Sequence, residues 1–173
     1  MKKHSCFYWL GGFLLTAALV AADQLTKAQA VLKLKGTMGR EFVPGLLRLS
    51  YVENHGMAFG LLQDARLLFI LMTVIIGGVL IYAYAWLPEQ KKLRPLSLGI
   101  IFILAGALGN FIDRLRQGYV VDFLELDFMR FPVFNLADIF VTWTAVILAV
   151  LMLFYYKDSD FPGKAHDRTD SDN

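Results

Sequence analysis

Apolar positions along this chain gather into four long runs, 6–22, 67–87, 96–112 and 134–156, separated by stretches that concentrate charge and turn-forming residues. Runs of this length bracket the ~20 residues that cross a hydrocarbon core of ~30 Å, so the pattern predicts four transmembrane helices. Gly11, Gly12, Gly77, Gly78, Gly99 and Gly106 fall inside the runs. Glycines weaken helices in water but let helix backbones approach closely in lipid, which predicts a packed bundle. The second and third runs are joined by Pro88 to Pro95, carrying Lys91, Lys92 and Arg94, which reads as a tight cytoplasmic hairpin. An even number of spans then puts both termini on the cytoplasmic side. Composition agrees, since the apolar types make up 57% and the 14 glycines raise the share to about 65%, against roughly 45–50% in soluble domains. The orientation rests on the short clusters Lys2/Lys3 and Lys91/Lys92/Arg94, because the proposed inner segments hold eight Lys and Arg and the outer loops nine.

The connecting segments carry their own patterns. Leu46 to Asn54 alternates Leu47, Leu49 and Tyr51 against Arg48, Ser50 and Val52 after a Pro44-Gly45 turn signal, which predicts a half-buried strand or hairpin. Asp23 to Leu34 extends the first helix into the interface, with Lys27 one turn from Asp23, and Gly36 and Gly39 end it. Residues 1–156 read as one integral-membrane domain, and 157–173, with five aspartates, as a disordered cytoplasmic tail. Met1 to Ala22 also fits a signal-peptide pattern; retention is expected, because the charged residues just beyond it belong with the remaining spans. Trp86, Tyr82 and Tyr84 are expected in an interfacial belt. A formal charge of +2 without a basic-aromatic stretch argues against nucleic acid, and the single Cys6 allows neither an internal disulfide nor a cysteine metal cluster.

Ionisable groups at membrane depth are expensive and turn towards a protein interior or a water-filled cavity. Asn110, Asp113 and Arg114 share one face at the outer end of the third span, and Asn135 and Asp138 repeat the i, i+3 spacing at the outer start of the fourth. Between them, Tyr119 to Phe128, if extended, places Val120, Asp122, Leu124, Leu126 and Phe128 on one face, with Asp122 its only charge. Glu125 and Asp127 fall on the opposite face as solvated carboxylates. Asp122 and Asp138 are therefore the acids driven into poorly hydrated surroundings. Two such carboxylates brought together share a proton, one acting as base and the other as acid around a single water, the chemistry of an aspartic protease. No HExxH, G-x-S-x-G or P-loop is present, and His4, His55 and His166 are scattered. The chemistry calls for no metal or other cofactor.

Structural readings stand beside these. Asp113 and Arg114 fit a helix-end ion pair, Asn135 a helix N-cap, Asn54-His55-Gly56 a turn, and Asp23 with Lys27 a stabilising pair. A small proton or ion transporter is the alternative function, disfavoured because the middles of the spans offer little beyond glycine, Thr16, Thr73 and Thr144. A non-enzymatic assembly protein would leave the charge on the apolar strand face unexplained.

Five segments, Asp23-Gln-Leu-Thr-Lys27, Tyr51-Val-Glu-Asn-His-Gly-Met-Ala-Phe-Gly60, Gly109-Asn-Phe-Ile-Asp-Arg114, Val120-Val-Asp-Phe123 and Phe134-Asn-Leu-Ala-Asp138, together resemble the lipoprotein signal peptidase (signal peptidase II) family over residues 7–156. The resemblance implies an all-α membrane protein of four transmembrane helices with a small extracytoplasmic β-element and an interfacial helix. It implies an enzyme of the bacterial inner membrane that cleaves prolipoproteins before their diacylglyceryl-modified cysteine, with the active site on the extracytoplasmic face. By position, Asp122 and Asp138 are its catalytic pair. Asn54, Gly56, Asn110, Asp113, Arg114 and Asn135 hold substrate or orient the pair, and Asp23 and Lys27 stabilise the fold. Met57 is bulkier than the alanine associated with that place in the motif. Membrane lipid docks the substrate, and a monomer suffices because both acids reside in one chain.

Overall fold

The computed structural model describes residues 4–56 and 66–161. Helix α1 (Cys6–Leu34) is followed by strands β1 (Arg40–Val43) and β2 (Leu47–Asn54), helix α2 (Arg66–Trp86), a 3-10 turn at Lys91–Leu93, helix α3 (Arg94–Gln117), strand β3 (Val120–Leu126), helix α4 (Leu136–Phe154) and a second 3-10 turn at Asp158–Asp160. Among the described residues, four helices are long and apolar enough to span a membrane. Each of the four apolar runs falls on one of them, and α1 and α3 continue past theirs. Local chemistry sets the ends. The Ser5 hydroxyl caps α1 by accepting from the Tyr8 N–H, and Gly118, at φ +87°, closes α3 in a left-handed conformation that suits glycine. Asn135 and Asp138 form a reciprocal capping box at the start of α4.

Helix α3 is the axis of the bundle, packing against α1, α2 and α4. Its small residues allow the contact with α4: a Cβ at Gly106 would stand 2.5 Å from the Ala137 carbonyl oxygen, and one at Gly99 would collide with the Leu148 side chain. The outer faces of the helices expose large apolar side chains such as Phe13, Leu67, Ile75 and Leu153, as expected where lipid is the solvent. At the hairpin end, Tyr84, Leu87, Leu93, Ile100, Ile101 and Tyr156 form one core cluster. Tyr84 is buried there, stacked on Tyr8, rather than standing in an interfacial belt with Trp86 and Tyr82, which remain exposed. Residues 157–161 depart from the expected disordered tail. Asp160 pairs with Lys92 at 2.7 Å and Phe161 packs against Tyr156, so this segment is held to the hairpin. Residues 162–173 lie outside the described residues, as do Met57 and the rest of 57–65.

At the opposite end the three strands form an antiparallel sheet in the order β1-β2-β3, with Val52 opposite Asp122 and Asn54 opposite Val120. The turn at Gly45 (φ +68°) joins β1 to β2, as Pro44-Gly45 predicts. The expected one-sided burial of β3 is replaced by burial of both faces over Val120 to Phe123. The cause is the length of α1, whose continuation brings Ala30 and Leu34 against Val121 and Phe123. Further along the strand Glu125 is half-buried and bonded to the Ser50 hydroxyl, while Asp127 is exposed as expected.

Candidate active site

The polar residues singled out by spacing converge where the sheet meets the ends of α3 and α4. Asp122 comes from β3, where burial of both strand faces leaves its side chain 2% exposed. Asp138 occupies the third position of α4, half-buried, its carboxylate accepting from the Asn135 backbone N–H at 3.0 Å as its half of the capping box.

One side chain joins the two acids. Asn135 is fully buried, and its Nδ2 donates to Asp122 Oδ1 at 2.6 Å while its Oδ1 accepts from the Asp138 N–H at 3.1 Å. Asn135 is therefore both the helix cap and a bridge, so its structural and functional readings coincide. Asn54 Nδ2 donates to the second oxygen of Asp122 at 2.8 Å, and Asn54 Oδ1 accepts from the Gly56 N–H, forming the predicted turn after β2. Asn110 Nδ2 donates to Asp138 Oδ1 at 2.9 Å. His55 stays exposed beside the Tyr119 ring.

Asp113 does not pair with Arg114. It lies 3.0 Å from the Lys27 ammonium, which also touches Asp23 at 2.9 Å and donates to Asn110 Oδ1 at 2.8 Å. Three donors thus meet three acceptors around a lysine that is 3% exposed. The Arg114 guanidinium instead covers the Phe69 ring at 4.6 Å and reaches towards the Gly56 carbonyl. Gln24 escaped the sequence reading. Its Nε2 donates to Asp113 Oδ1 at 2.9 Å, to the Gly109 carbonyl at 3.1 Å and to Asp23 at 3.2 Å. The usable signal was its place beside Asp23, but one-residue spacing on a helix does not by itself announce a shared partner. Gly109 has a steric reason to be glycine, because a Cβ there would run into the Asp23 carboxylate.

Desolvation first, and the neighbouring Asp138 charge second, push the Asp122 carboxyl from its ordinary 3.8 up to about 6, against the opposing hydrogen bonds from Asn54 and Asn135. Between these two values the folded protein holds a proton that the unfolded chain has released. Folding stability from this group is therefore complete below pH 3.8 and falls as pH rises through about 6. The loss is on the order of 3 kcal/mol by pH 7. Melting in detergent at pH 5 and pH 8 is expected to show wild type losing more stability across that interval than Asp122→Asn, which has no proton to release; equal losses would contradict the assignment.

A buried carboxyl raised to about 6, joined through the Asn135 side-chain amide to the backbone N–H of the residue that bears the second carboxyl, offers the two groups that a general acid-base step needs. Among the described residues, no group of three or more His, Cys, Asp or Glu forms a metal-holding set.

The sequence model described as Signal peptidase (SPase) II matches residues 15–154. The chain belongs to the signal peptidase II family. As a member it is a membrane peptidase. It is 42% identical over 144 residues to the lipoprotein signal peptidase of Enterococcus faecalis, covering 83% of this chain and 85% of that one. It is also 42% identical over 143 residues to the lipoprotein signal peptidase of Streptococcus pyogenes serotype M2, covering 83% and 91%. Two solved structures of a bacterial membrane enzyme, obtained by the in meso method at 2.3 and 1.9 Å resolution, superpose with TM-scores of 0.76 and 0.73, each at 30% identity. They cover 88% and 84% of this chain and 93% and 94% of their own. Within the described residues, the signal peptidase II motifs quoted from the sequence thus lie on a fold that solved bacterial membrane enzymes share.

Proposed function

We propose that this protein is an aspartic endopeptidase that removes the signal peptide from diacylglyceryl-modified prolipoproteins by cutting the peptide bond before the lipidated cysteine. The supporting observation is the bridge made by Asn135 between Asp122 and Asp138, which are sixteen positions apart in the chain. Asp138, half-buried in the first turn of α4, is the base, and Asp122, enclosed on both strand faces, carries the shared proton. Asp138 takes a proton from water as the water oxygen attacks the scissile carbonyl carbon, and Asp122 gives its proton to the carbonyl oxygen. In the second step Asp138 protonates the departing nitrogen and Asp122 recovers a proton from the gem-diol as the C–N bond breaks. The products are a carboxylic acid on the signal peptide, which ionises by losing its proton to water, and a free amine on the lipidated cysteine. Asn54 and Asn135 hold Asp122, Asn110 holds Asp138, and Arg114 with Gly56 borders the space where substrate backbone would lie.

The sheet and both acids belong on the extracytoplasmic side, with the Lys91-Lys92-Arg94 hairpin and both termini in the cytoplasm, following the charge bias of the short loops. A single chain suffices, and the bilayer holds the substrate's apolar helix and acyl chains while its scissile bond stands at the interface. The test is incubation of the purified full chain with one prolipoprotein before and after diacylglyceryl transfer. Cleavage confined to the lipidated form is expected. Equal cleavage of both forms would leave a general membrane protease instead.

A further inference from the structure

Lys27, buried on α1, touches neither proposed catalytic carboxylate, yet its two acidic partners reach the backbone beside both of them. The second oxygen of Asp23 accepts from the Ala137 N–H at 3.0 Å, and Ala137 immediately precedes Asp138. Asp113 accepts from the Val121 N–H at 3.3 Å, and Val121 immediately precedes Asp122. The ammonium binds Asp23 and Asp113 together, at 2.9 and 3.0 Å. The start of α4 and the start of β3 are thereby fixed to a single buried cation on α1.

The same cation sets the polarity of the amides between them. Asn110 Oδ1 accepts from Lys27, so its Nδ2 must face the other way, towards Asp138. That oxygen also accepts from Asn135 Nδ2 at 3.2 Å, which turns the donating side of Asn135 towards Asp122. With the ammonium gone, Asn110 could rotate and present its oxygen to Asp138, acceptor against acceptor, and Asp23 and Asp113 would face each other without a counter-ion.

We infer that Lys27 is a positioning residue of the peptidase reaction, setting the separation of Asp122 and Asp138 through Asp23 and Asp113 and the direction of their hydrogen bonds through Asn110. The inference rests on the aspartic reading of the site. The role is to place reacting groups, so its loss falls on turnover and leaves substrate capture by lipid and apolar surfaces untouched.

The experiment measures kcat and KM of purified full-length Lys27→Met on a lipidated prolipoprotein, with helicity and melting recorded on the same preparation. Methionine keeps most of the stem and removes the ammonium. Folded protein with kcat lowered by about 30-fold or more and KM within about threefold of wild type is expected. A folded variant whose kcat stays within about threefold, or whose loss lies in KM, overturns the inference. Should Lys27→Met fail to fold, Asp113→Asn decides, since it keeps an acceptor for the Val121 N–H while weakening the hold on the ammonium. A kcat loss beyond about threefold at unchanged KM upholds the inference, and any other result overturns it. Asp138→Asn run in parallel separates the two levels. If it retains activity, the aspartic reading itself fails; if it is inactive while Lys27→Met turns over normally, only the positioning role falls.

Discussion

Replacing Asp138 by Asn is expected to lower cleavage of a lipidated prolipoprotein by at least about 10³-fold while the protein remains folded in the membrane. Asparagine retains an oxygen for one of the N–H groups that now meet the carboxylate, so the helix start persists. What disappears is the only member of the pair able to take a proton from water. Asp122→Asn is expected to be equally inactive for the complementary reason, since an amide cannot deliver a proton to the carbonyl oxygen and receive it back. The measurement is single-turnover cleavage by purified variants with equal helicity. Turnover within about tenfold of wild type by either variant would remove the aspartic mechanism.

Asn135→Ala is expected to reduce kcat by about 10²-fold or more, because one fully buried amide serves Asp122, Asn110 and the Asp138 N–H together. Truncation also removes a helix cap, at a cost of about 1 kcal/mol in stability. Asn135→Ser separates the two contributions. Serine caps a helix about as well as asparagine, but its short hydroxyl cannot extend a donor to Asp122. The serine variant is therefore expected to melt near wild type and to turn over as poorly as the alanine variant. Recovery of activity along with stability would make Asn135 a helix cap and nothing more.

The parts of this molecule that follow from periodicity were legible beforehand. The four spans, the turn at Pro44-Gly45, the Asn54-His55-Gly56 turn and the isolation of Asp122 among apolar neighbours each depend on residues within a few positions of one another. The strand faces were half legible, because alternation reports which residues share a face and says nothing about what covers it. Val121 and Phe123 are buried by Ala30 and Leu34, roughly ninety positions earlier. Long-range convergence also decides which of the two readings of its pairing Asp113 follows, since its nearest cation in sequence is Arg114 but its partner in space is Lys27. Burial decides between them: Lys27 is enclosed on α1, whereas Arg114 has an aromatic ring to cover. Gln24 stands in the first motif, but its partners on α3 are brought to it only by folding, so spacing gives it no role.

Helix α1 runs unbroken for 29 residues, about 43 Å, so roughly a third of it outlasts a ~30 Å hydrocarbon slab. Its extension packs against the sheet, its Asp23 holds the Ala137 N–H beside one acid, and its Lys27 holds Asp113 of α3, which accepts from the Val121 N–H beside the other, so the helix acts as a mast to which both acids are lashed. A thicker or thinner bilayer would tilt the mast and raise or lower the pair together, changing their height above the headgroups while preserving the gap between them. Lipid thickness would then govern which bond of a tethered substrate comes level with the acids, leaving the chemistry performed on that bond unchanged.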